Sequence, residues 1–85
     1  MSATALRREL LRVVESQLQR DDPPEVRATL ERLVRDGWSQ REAKRLISLA
    51  LGHETYEIVG LQRAFDAGKY ARALRALPRL PRAAL

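Results

Sequence analysis

Few side chains in this 85-residue sequence are placed to do chemistry. His53 is the single histidine, and Glu57 follows one helical turn later, the spacing of an acid–base or metal-ligand pair. One histidine and one carboxylate on a helix exterior read more simply as a solvated face. Ser16, Ser39 and Ser48 have no partner base in the sequence, and Ser39 suits a helix cap. With no cysteine, the chain has no thiolate nucleophile, disulfide framework or thiolate zinc site. Gly52, Gly60 and Gly68 are spread over helices and a junction, not gathered into a phosphate-cradling loop. The expectation is a protein that is not an enzyme and carries no cofactor and no metal.

The remaining chemistry is charge. The net charge is +5, yet ten Lys or Arg balance ten Asp or Glu over residues 1–62. From there on, Arg63, Lys69, Arg72, Arg75, Arg79 and Arg82 face Asp66 alone, so the whole excess belongs to the last quarter. Arg72, Arg75 and Arg79 recur near helical spacing beside Tyr70, Leu74 and Leu77, a short basic amphipathic helix. Such a surface can bind nucleic acid weakly and without sequence preference. The simpler reading is a helix docked by its apolar face, with arginines in water that also offset its dipole.

The elements that must position these groups are four helices, with almost no strand signal. Leu6, Leu10, Val13, Val14 and Leu18 form the apolar stripe of a first helix ending near Arg20. In "DDPPE", Asp22 is the expected cap of a second helix, Pro23 its first residue and Glu25 the partner in a capping box. Val26, Leu30, Leu33 and Val34 are its expected buried stripe. Gly37 closes it in the left-handed conformation, with Trp38 folding back toward Leu33.

In "GWSQREAKRLISLALG", Ser39 and Glu42 make a second capping box, and Ala43, Leu46, Ile47, Ala50 and Leu51 make one apolar face. This third helix is long, running to about Gly60 or Gln62, with Gly52 as the point where it can bend. Asp66 caps a fourth helix that Pro78 limits.

"SQREA" resembles the opening of a helix-turn-helix, but Leu46, Ile47, Ser48 and Leu49 continue the helix where that motif must turn. A turn at Gly52 would present Glu54 and Glu57 to phosphates. "RLVRDGWSQREA" is similar to the ubiquitin-associated modules, although glycine followed by an aromatic also serves an ordinary helix end.

A wider resemblance spans about three quarters of the chain. Glu15, Gln17, Asp22, Pro23, Pro24, Glu25, Val26, Thr29, Leu30, Arg32, Leu33, Gly37, Glu42, Ala43, Phe65, Asp66, Tyr70 and Leu77 fall on a pattern that resembles a family of small helical bacterial proteins of unknown function. Members of that family often carry histidines where this chain has Arg41, Arg45, Arg7 and Leu11. Histidines so spaced can ligate a metal, whereas arginine does not deprotonate and cannot. The resemblance therefore implies the shell of a site without its ligands. Arg41 and Arg45 can pair there with Glu15 and Glu42, or simply face solvent.

These readings predict an all-α antiparallel bundle of about four helices. Residues 1–77 form one domain and residues 78–85 a loosely held basic tail. No apolar run has the length of a signal sequence or a membrane span, so a cytoplasmic location is expected. The expected role is a non-catalytic protein-interaction or oligomerisation module, with a protein partner or self-association. The alternative is a nonspecific nucleic-acid-binding protein using the basic C-terminal segment.

Overall fold

A computed structural model of the protein describes residues 2–61 and 65–80, with side chains for all of these except 55–61. The described chain is all-α. Four helices, α1 (Ala3–Arg20), α2 (Pro24–Arg35), α3 (Gln40–Leu61) and α4 (Ala67–Ala76), pack into a bundle in which α3 touches the other three. α2 also packs against α1 and α4, while α1 and α4 meet through a hydrogen bond in which the Tyr70 hydroxyl donates to Gln17 Oε1 (2.9 Å).

Local signals set most of the boundaries. Ser2 starts α1 by accepting from the Ala5 amide. α2 closes at Gly37, whose φ of 106° is open to glycine at no steric cost, and the Trp38 amide turns back to the Leu33 carbonyl (3.0 Å). The Ser39–Glu42 capping box is formed in both directions: the Glu42 amide donates to Ser39 Oγ (3.0 Å) and the Ser39 amide to Glu42 Oε1 (3.1 Å). Asp66 caps α4 by accepting from the Lys69 amide (3.1 Å). α3 runs unbroken through Gly52, so neither turn required by a helix-turn-helix is present. A Cβ at Gly52 would lie 2.9 Å from Leu10 Cδ1, so Leu10 of α1 packs directly on the α3 backbone here.

The start of α2 differs from expectation. Asp22 does not cap it; it belongs to the closing turn of α1, its amide donating to the Gln17 carbonyl (3.0 Å) after Asp21 takes the left-handed conformation. Pro23 is the N-cap, no side chain caps the helix, and Pro24 is the first helical residue, one position later than predicted. Glu25 lies in the first turn without the expected capping box.

The core is Val14, Leu18, Val26, Leu30, Leu33, Ala43, Leu46, Ile47, Ala50, Leu51, Tyr70, Leu74 and Leu77. Leu6, Val13 and Val34, expected in the buried stripes, are exposed. α1 and α2 each contact the bundle along a narrower strip than their apolar periodicity suggests, with Val14 and Leu18 on α1 and Val26, Leu30 and Leu33 on α2.

Two arginines of α2 hold the ends of its neighbours. Arg32 donates to the carbonyls of Leu74 (3.1 Å) and Leu77 (2.9 Å), and Arg27 donates to the Leu18 carbonyl and to Asp21 Oδ1. Each places a cation at a helix C-terminus, where the last carbonyls lack intrahelical partners.

Candidate functional site: a cationic groove between α1 and α3

α1 and α3 run antiparallel: Leu10 lies against Gly52, and further along α1 Glu15 reaches back to Lys44 on α3. Between them lies a partly open groove of about 540 Å³, lined from α1 by Arg7, Leu11 and Glu15, and from α3 by Arg41, Lys44, Arg45, Ser48 and Leu49. Helical geometry places these groups together, since 7, 11 and 15 are one turn apart on α1, and 41, 44, 45 and 48 occupy one flank of α3. The sequence-based candidates Arg7, Leu11, Glu15, Arg41 and Arg45 therefore converge.

Of the two readings open for Arg41 and Arg45, the structure gives the solvent-facing one. Glu15 is bound by Lys44, with Nζ 2.7 Å from Oε1, not by Arg41 or Arg45. About 100° of rotation per residue puts Lys44 at the edge of the buried Ile47–Leu51 strip, and Arg41 and Arg45 about 60° and 100° further round. Glu42 is engaged by Ser39, whose backbone amide chiefly, and then its side chain, hold the Glu42 carboxyl below its ordinary 4.5; Arg45 contributes a smaller push in the same direction. Arg7, Arg41 and Arg45 make no ion pair or side-chain hydrogen bond among the described residues. The groove is thus lined by four cationic side chains, one carboxylate and the apolar Leu11 and Leu49. Lys44 and Ser48, absent from the sequence-based candidates, complete it.

The other candidates lie elsewhere. Ser48 is buried and its hydroxyl donates to the Arg45 carbonyl (2.7 Å), and Ser39 is a cap, so neither is poised as a nucleophile. His53 is half-buried on α3, and the side chain of Glu57 lies outside the described residues. Among the described residues no group of three His, Cys, Asp or Glu converges as a metal site would require, and no helix is long and apolar enough to cross a membrane.

On α4, Tyr70 and Leu74 are buried, as is Leu77 just beyond it, while Arg72, Arg75 and Arg79 are exposed and Lys69 is half-buried. Arg63, Arg82 and the tail from Pro81 onward lie outside the described residues. Burial raises the Tyr70 phenol above its ordinary pKa, an effect partly offset by its hydrogen bond to Gln17.

No protein family, curated protein or solved structure was found to match this chain.

Proposed function

We propose that the protein is a non-catalytic, cytoplasmic protein-interaction module, and that the α1–α3 groove is its recognition surface. The supporting observation is that the groove joins three arginines that form no ion pair among the described residues with two partly exposed leucines, Leu11 and Leu49. Arginine enriched around an apolar centre is the composition of protein-recognition surfaces, where apolar contact supplies affinity and charge supplies orientation. The implied likeness to small bacterial helical proteins belongs to the same proposal. A photo-crosslinking residue at Leu49, in the groove lining, tests it against the same residue at Ala28, exposed on α2. A discrete protein adduct from position 49 alone, suppressed by excess unlabelled protein, is the expected result. Equal adducts from both positions, or none, contradict it.

A second reading is supported by the exposure of Arg72, Arg75 and Arg79 along α4 and just past its end: weak, nonspecific binding of nucleic acid. The apolar side chains of this segment, Tyr70, Leu74 and Leu77, are consumed in the core.

A further inference from the structure

Resting on the interaction-module reading, the geometry points to the kind of partner: an acidic amphipathic helix whose carboxylates displace Glu15 from Lys44 and engage Arg7, Arg41 and Arg45. Two features of the groove fix this chemistry.

The first is charge distribution. Arg7 marks one end of the groove, and Arg41, Lys44 and Arg45 the other. Arg7 and Glu15 are eight residues apart, so the two cationic ends are separated by about 12 Å along α1 at a rise of about 1.5 Å per residue. A helix lying in the groove covers that span with carboxylates two turns apart, at positions i and i+7. The residues between them, at i+3 or i+4, fall over Leu11 and Leu49 and must be apolar. Guanidinium groups suit such carboxylates because each can donate two parallel hydrogen bonds.

The second is Glu15 itself. It is the single carboxylate among the lining residues, half-exposed, and it neutralises Lys44 in the free protein. A carboxylate already seated on one cation of an otherwise unpaired cluster occupies the position that an external carboxylate would take. Removing its charge frees Lys44 and strengthens binding, whereas removing Arg41 and Arg45 weakens it.

No described helix of a second copy carries such a pair. The single pair of carboxylates spaced i, i+7 is Glu15 and Asp22, and Asp22 lies beyond the end of α1. A bare phosphate leaves Leu11 and Leu49 uncovered.

The test uses a fluorescent two-heptad peptide with leucines on one face and glutamates flanking them, titrated into the intact protein by anisotropy. Its glutamine-for-glutamate counterpart, a short oligothymidylate and inorganic phosphate serve as competitors. The expected result is saturable binding that R41S/R45S weakens and E15Q strengthens, each about tenfold, or about 1.4 kcal/mol. Glu31→Gln, which makes the same change in net charge on exposed α2, leaves binding unchanged. Circular dichroism and melting of each variant establish that the fold is retained.

Absence of saturable binding overturns this inference. So does equal binding by wild type and R41S/R45S, an equal gain from Glu31→Gln, or equally effective competition by the nucleotide or phosphate. The interaction-module reading stands or fails separately, on the adduct formed from position 49.

Discussion

The arginines of α2 and those of the α1–α3 groove have the same chemistry and opposite occupations. Arg27 and Arg32 are turned onto backbone carbonyls at the ends of α1 and α4, where each guanidinium adds a charged donor to acceptors of the last turn. Arg7, Arg41 and Arg45 have no such acceptors and point their charge into a groove. In a basic protein, charge alone therefore says little. What separates a structural arginine from one available for a ligand is whether the fold already satisfies its donors.

The sharpest way to break this comparison is to attack what Arg32 and the core hold together. Leu74 is fully buried, and Leu74→Ala should destabilise the fold by about 3 kcal/mol by leaving a cavity beneath α4. Melting and denaturant titration measure the loss; a shift smaller than that of an ordinary surface change would mean that α4 is not docked as described.

Next in size is Arg32→Ala, which strips the two carbonyls of α4 of a charged donor. It should cost about 2 kcal/mol, with hydrogen exchange rising in α4 before the rest of the bundle. An unchanged melting temperature would place Arg32 among the idle surface charges.

Tyr70 gives a smaller and pH-dependent effect. Because burial raises its pKa above the ordinary value of 10, the folded chain keeps a proton that the unfolded chain releases above that pH. This contribution is complete below pH 10 and is lost as pH rises toward the raised folded value. Tyr70→Phe should cost about 1 kcal/mol at neutral pH, through the lost Gln17 bond, and should flatten the alkaline fall in stability. An alkaline limb identical in both proteins would contradict this assignment.

The same contrast explains what was legible in the sequence. Gly37, the Ser39–Glu42 box and the Asp66 cap could be read directly, because each signal and its partner lie within about four residues. "DDPP" offers two prolines for the first helical position; the structure uses Pro24, with the Asp22 amide closing α1 on Gln17, a contact no local pattern selects. Leu6, Val13 and Val34 fit an apolar period but are exposed, since periodicity fixes a helix face and not how far its neighbours extend over it. The Arg32 contacts join residues more than forty positions apart, and no local pattern announces them. The groove was partly legible: the resemblance singled out Arg7, Leu11, Glu15, Arg41 and Arg45 together, and the structure lines one groove with them. Of the two readings left open for Arg41 and Arg45, pairing with Glu15 and Glu42 or facing solvent, the structure gives the second, and Lys44, one residue before Arg45, takes Glu15.

The central claim is that recognition resides in the groove and not on α4. The most direct measurement compares three proteins by calorimetric titration with the acidic amphipathic peptide: wild type, R41S/R45S, and a variant with Arg72, Arg75 and Arg79 replaced by glutamine. All three should melt within about 0.5 kcal/mol of one another, because the replaced side chains are exposed. The account predicts that the groove variant loses about tenfold in affinity while the α4 variant binds as wild type does. Loss of binding in the α4 variant, with the groove variant unaffected, would contradict it.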